Sequence, residues 1–149
     1  MASMTHDLER FVDAQAGGYA GIVDELRRGS KTGHWMWFVF PQVAGLGRSE
    51  MSRYYAIDSL DEARAYLAHP VLGPRLRECA GIVAATVGRT AEDIFGAIDA
   101  VKLRSSMTLF HRAAPDEPVF RAVIDRHFGG VPDAATDAIL DVGDPSASA

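Results

Sequence analysis

The chain has 149 residues, enough for one ordinary domain with a substantial core, and its 48% apolar content against 23% charged residues describes a packed protein and excludes a disordered one. A formal charge of −5, from 15 Lys and Arg against 20 Asp and Glu, supplies no basic footprint; this excludes general nucleic-acid binding and leaves room for a local basic pocket. No apolar run approaches the roughly 20 residues that cross a bilayer, and Met1 to Asp7 carry neither a basic nor an apolar leader region, so no membrane partner is expected and the expected location is the cytoplasm.

In chain order, Thr5 can cap a short first helix carrying Leu8, Phe11 and Val12. Gly17-Gly18 ends it, because glycine weakens a helix interior by about 1 kcal/mol. Tyr19, Ile22, Val23 and Leu26 recur at the i, i+3, i+4, i+7 spacing of an amphipathic helix, with Arg27 and Arg28 in the last turn and Gly29 as its stop. Next comes Trp35-Met36-Trp37-Phe38-Val39-Phe40, which holds both tryptophans. Burying each such side chain is worth about 1.5–3 kcal/mol, so this run is read as the interior segment around which the helices close. Its length does not separate a strand from a helical turn; the lack of a partner strand favours a turn, ended by Pro41. Residues 42–49 read as a loop in which Gly45 and Gly47 permit close backbone approach.

Residues 50–57 are predicted to form a short helix exposing Arg53, and Ser59-Leu60-Asp61-Glu62 reads as a capping box opening a helix through Leu67. Gly73-Pro74 starts the next, with Leu76, Cys79, Ala80, Val83 and Val87 as its buried stripe and Gly88 as its close. Thr90-Ala91-Glu92-Asp93 resembles a cap with an acidic first turn. Asp99 is the expected cap of a helix over 100–112 with Leu103, Met107 and Phe110 inward. The Pro115–Pro118 stretch starts another helix, burying Val119, Phe120, Val123, Ile124 and Phe128. Asp133 can cap a last helix through Leu140. The expected fold is all-α: one compact domain over 5–142, of about seven short helices around the Trp/Phe-rich segment, with a disordered tail over 143–149.

Candidate chemistry gathers in three places. Lys102, Ser105 and Ser106 share one helix face behind Asp99, which suits either an anion site near a helix start or a capped helix with a solvated lysine. The lysine precedes the serines, the reverse of a serine-lysine hydrolase motif. His34, beside two indoles, can act as a general base near neutral pH, and an indole face can stack on a nucleobase or a cation. The alternative is that both tryptophans are core, each indole N–H satisfied by a backbone carbonyl, with only His34 and Gln42 at the polar ends reaching a pocket. Finally, Gly45-Leu46-Gly47-Arg48-Ser49 offers an arginine able to clamp a phosphate, followed by the phenols of Tyr54 and Tyr55, although it is not a dinucleotide fingerprint. The lone Cys79 falls on an apolar face and reads as an inert thiol. His69, His111 and His127 show no metal-ligand spacing, so neither metal nor cofactor is expected.

Residues 34–42, 45–49, 65–76, 94–96 and 102–110, in that order, resemble the bacterial domain-of-unknown-function family 1810, a likeness that spans about residues 7–141. It implies a compact, mainly helical, cytoplasmic protein without a settled activity. Members sometimes carry the label calpastatin, a long disordered inhibitor that this packed chain does not match. The run from Lys102 to Phe128 is also similar in outline to NADAR domains, which process ADP-ribose derivatives. Their glutamate-bearing helix has no counterpart here, so their catalytic residues are not carried over. The functional expectation is a pocket for an anionic, phosphorylated nucleotide-like small molecule of ADP-ribose type. His34, Asp99 and Lys102 are its candidate catalytic groups; Trp37, Gln42, Arg48, Tyr55 and Ser105 are its candidate ligand contacts. The alternative is a non-catalytic module that offers a helical face to a protein partner. Sequence leaves the oligomeric state open.

Overall fold

A computed structural model describes residues 7–143. Among these, ten helices follow one another: α1 Glu9–Gln15, α2 Tyr19–Arg28, α3 Met36–Val39, α4 Glu50–Tyr54, α5 Leu60–Ala68, α6 Leu72–Ala85, α7 Ala91–Phe95, α8 Ala97–Ala113, α9 Pro118–His127 and α10 Ala134–Gly143. The fold is all-α, and an isolated parallel bridge joins Val43 to Ile57. Ten helices stand where about seven were expected because α3, α4 and α7 are pieces of four or five residues; side-chain caps start α4 and α7, and α3, which has none, is held by the burial of Met36 and Val39. None of the described helices is long and apolar enough to cross a membrane. Thr5 and residues 144–149 of the expected tail lie outside the described residues.

Local chemistry sets most boundaries. Gly29 closes α2, its N–H reaching the carbonyls of Glu25 and Leu26. Thr90 and Asp93 form a complete capping box on α7. At α5 only half of the expected box exists. Ser59 Oγ accepts from the Glu62 N–H at 3.2 Å, but the Glu62 carboxylate accepts from the Asp58 N–H at 2.7 Å and pairs with Arg10 of α1 at 3.3 Å. That buried pair ties the first helix to the fifth. Helix α6 begins ahead of Gly73-Pro74 because His69 Nδ1 accepts from the N–H groups of Val71 and Leu72, at 3.1 and 3.2 Å, doing the work of a cap. It ends at Ala85, so Val87 is not in the buried stripe but 70% exposed. Asp133 does cap α10, accepting from the Thr136 N–H at 2.9 Å, and the helix continues past Leu140 to Gly143.

The core is a ladder of rings crossing the helices. Phe11, Tyr66, Phe110 and Phe120 are all buried, and their centroids step 5.1, 5.3 and 5.9 Å apart. Helix α6 packs on α9, and α8 packs on α5, α7 and α9. Leu103, Met107 and Phe110 point inward as their spacing requires. Val119 and Phe128 are only partly buried, against expectation; the Arg104 guanidinium lies 5.6 Å over the Phe128 ring. The aromatic run does enter the interior, as the turn α3. Trp35, Met36, Val39 and Phe40 are buried, with Trp35 and Phe40 packing on Phe95 at 6.4 and 6.0 Å. Trp37 and Phe38 stay partly exposed, since a four-residue turn cannot bury side chains on every side.

Candidate functional site

Glu25, near the end of α2, fixes the approach to the aromatic turn. One carboxylate oxygen accepts from the Thr32 N–H at 2.7 Å, the Gly33 N–H at 2.9 Å and the Trp35 indole N–H at 3.0 Å. Burial pushes its pKa upward, and these three donors outweigh that, holding it below the ordinary carboxylate value. Trp35 therefore uses a carboxylate, not the backbone carbonyl expected of a core indole. The Lys31 backbone N–H bonds the Ile94 carbonyl at 2.8 Å, locking this turn to the end of α7.

That clamp places Lys31 opposite α8. Its ammonium lies 2.9 Å from one oxygen of Asp99 and 5.1 Å from the Trp35 ring centroid. Lys102, one turn further along α8, lies 3.5 Å from the other Asp99 oxygen and 4.9 Å from the Trp37 ring centroid. Two ammoniums thus share one carboxylate, each over an indole face, and one positive charge is left over. Asp99 does not cap the helix: α8 starts at Ala97, and the two lysines hold the Asp99 side chain in its first turn. The Trp37 indole N–H is buried and has no acceptor among the described residues.

Three cavities meet along this face. The first, about 450 Å³, opens between α3 and the α7–α8 junction and is walled by Lys31, His34, Trp37, Phe95 and Asp99. Gly96 shapes that junction at φ +84, a conformation that side chains rarely adopt. The second, about 410 Å³, lies between loop 42–49, α8 and the start of α10, and is walled by Gln42, Leu46, Val101, Lys102, Ser105 and Asp133. Ile98 borders both. The third, about 180 Å³, lies under the loop against Ser52, Arg53 and Asp58, and shares Gln42, Gly47 and Ser52 with the second.

The structure therefore brings six of the sequence-derived candidates to two neighbouring cavities on either side of Ile98: His34, Trp37 and Asp99 in the first, and Gln42, Lys102 and Ser105 in the second. It does not bring Arg48 or Tyr55 to any of the three cavities. Arg48 is exposed just before Ser49, which caps α4 by accepting from the Ser52 N–H. Tyr55 is turned into the fold, 5.6 Å from both Phe11 and Phe38, and burial raises its pKa. Ser105 lies in the third turn of α8, away from the unbonded N–H groups at the helix start, so its contribution is its own hydroxyl. Thr136 gives its hydroxyl proton to Asp133 at 2.6 Å, which leaves Ser105 as the donor to Thr136 at 2.8 Å and its lone pairs free.

Lys31 is a site residue that sequence reasoning missed. Its signal was a lysine in the short Ser30–Gly33 turn directly before the indoles. Cys79 is buried, 3.7 Å from the Tyr19 hydroxyl, and burial pushes its thiol up to about 12, so it offers no nucleophile. Among the described residues no three His, Cys, Asp or Glu side chains form a metal cluster.

Comparison with known proteins agrees with this architecture. The chain is similar to a conserved hypothetical protein, Rv1873 from Mycobacterium tuberculosis, whose crystal structure superposes with a TM-score of 0.88 at 54% identity, over 90% of this chain and 96% of that one. No curated protein matches the chain. The family model described as "Protein of unknown function (DUF1810)" matches residues 5–140, and the chain belongs to that family.

Proposed function

We propose that the groove beside α8 binds a small organic anion, of the phosphorylated, nucleotide-like class to which ADP-ribose belongs. The observation that carries this reading is the pair Lys31 and Lys102 on a single Asp99 carboxylate at the mouth of the cavities. The trio is largely shielded from water, the Lys31 side chain being 8% exposed, so the phosphate joins the two lysines beside Asp99 without displacing it, drawn by the one positive charge left over. Lys31 and Lys102 hold the anion, and Trp37, whose ring lies under the Lys102 ammonium, walls the first cavity beside them. His34 and the Asp99 carboxylate are the groups beside the cavity able to move a proton at the ligand, which makes them the candidate acid and base. The outline similarity to NADAR domains favours the ADP-ribose type within this class. Arg48 and Tyr55 have no part in it, because neither reaches the groove.

A second reading, an interaction module, draws on Ile98 and Val101, which are 75% and 62% exposed on α8. One experiment separates the two. In a thermal-shift screen against nucleotides and ADP-ribose, the small-molecule reading expects a ligand-dependent rise in Tm that Lys102→Ala abolishes, while the ligand-free Tm falls by no more than a few degrees. A screen without any rise, or a rise that survives Lys102→Ala unchanged, overturns it in favour of the interaction surface.

A further inference from the structure

Resting on the anion reading, we propose that the small cavity under the loop is a second recognition pocket. It takes an uncharged hydrogen-bonding group at the far end of the ligand, which makes the ligand an organic anion with a neutral polar tail and not a simple phosphate. The first support is adjacency. Gln42, Gly47 and Ser52 wall both this cavity and the one holding Lys102, so the pocket lies directly beside a molecule anchored by its anion on Lys102.

Charge is the second support. At the lysine end two ammoniums share Asp99, and Asp133 in the cavity of Lys102 is engaged by the N–H and hydroxyl of Thr136, whereas the far pocket is lined by one guanidinium, Arg53, and one carboxylate, Asp58. Neither of these two has an ion-pair partner among the described residues, and together they sum to zero. The two ammoniums suit the anionic end of the ligand, and the far pocket, with one charge of each sign, suits a neutral hydrogen-bonding end. The third support is Gln42 itself. Its amide is half-buried at the boundary of the two cavities and makes no side-chain hydrogen bond to a described residue. A primary amide both donates and accepts, which suits a sugar hydroxyl, a carboxamide or the edge of a base, and suits a dianion poorly.

The pocket is also preformed. The Gln42 carbonyl accepts from the Ile57 N–H at 2.9 Å, and the Ala44 N–H donates to the Ile57 carbonyl at 2.8 Å, pinning both sides of its floor. Gly47 lies so close over Ser52 that an added Cβ would sit 2.3 Å from the Ser52 Cβ, so the loop closes on α4 only with glycine at that position. Between the two ends, Leu46, Ile98 and Val101 provide an apolar ledge for the middle of the ligand.

Titration calorimetry with inorganic phosphate and adenosine 5′-monophosphate tests the inference on the wild type, Gln42→Ala, Asp58→Asn and Lys102→Ala. The wild type is expected to bind the nucleotide at least about tenfold more tightly than phosphate, the discrimination of roughly one well-placed hydrogen bond. Gln42→Ala removes most of that advantage and leaves phosphate affinity unchanged. Asp58→Asn, at an exposed position that does not threaten folding, weakens the nucleotide alone. Equal affinities for the two probes on the wild type, or a Gln42→Ala effect that is absent or falls equally on both, overturns the second pocket. The anion reading fails separately, and takes this inference with it, if Lys102→Ala leaves both affinities unchanged.

Discussion

The two halves of α8 have opposite characters although they belong to one uninterrupted helix. From Ser105 to Phe110 every residue is buried, whereas in the first turns Ile98 and Val101 stand in solvent and Asp99 and Lys102 are partly exposed. What distinguishes them is the neighbours. Helix α8 as a whole packs on α5, α7, α9 and α10, and one face of its N-terminal half, carrying Ile98, Val101 and Lys102, borders the cavities beside the four-residue turn α3 and loop 42–49, while Ala100 and Leu103 on the other face are buried. The lesson is that one helix serves as core at one end and as the wall of a groove at the other, and stability and binding should respond separately to substitutions at its two ends.

The largest expected effect tests the buried end. Phe110→Ala removes a ring stacked between Tyr66 and Phe120 and should destabilise the fold by about 3–5 kcal/mol in chemical denaturation. A loss no greater than that from Lys102→Ala would erase the contrast between the halves. Glu25→Gln comes next. It weakens the acceptor of three donors at the entrance to the groove and should cost about 1–3 kcal/mol near neutral pH. Because the folded pKa of Glu25 lies below its unfolded value, its ionised form favours folding. That contribution is complete above the unfolded value of 4.5 and is lost as pH falls through the depressed folded one. Denaturation midpoints of wild type and Glu25→Gln should accordingly converge below about pH 4.5; a gap that is constant with pH assigns the effect to shape alone.

Smaller effects sharpen the comparison. Thr90→Ala opens the capping box of α7, the element on which the groove end of α8 rests, and should lower stability by about 1 kcal/mol, readable as a modest drop in Tm. Lys102→Ala at the groove end should cost less than Phe110→Ala in ligand-free stability, on the order of 1 kcal/mol, since Asp99 keeps its pair with Lys31. The thiol of Cys79 should resist a thiol-specific reagent in the native protein and react only on unfolding. Rapid labelling of the native state would mean that the buried half opens more readily than its packing implies.

Much of the helical plan was legible from the sequence because its signals are local. The period of Ile22, Val23 and Leu26, the Thr90 cap, the proline that opens α9 and the Asp133 cap each act within one turn, and each reappears in the structure. The failures share a cause, which is a partner distant in sequence. Glu62 abandons its own box for Arg10, 52 residues away. Asp99 is drawn from a capping role by Lys31, and Tyr55 leaves the groove for Phe11. At the site, His34 and Gln42 could be singled out as the polar ends of the aromatic run, and Lys102 as sharing a helix face with Ser105 behind Asp99. That Lys31 meets Asp99 and that Arg48 stays outside the groove could not be read, because the first depends on a residue 68 positions away and the second on how loop 42–49 folds onto α4.

Sequence alone determined that this chain forms helices, where most of them begin and end, and that the tryptophan-rich run lies inside, because capping and periodic burial are short-range free energies written in consecutive residues. Only the tertiary structure decided which charged side chains meet. Coulomb attraction and the filling of space act between residues that the fold, not the chain order, makes adjacent.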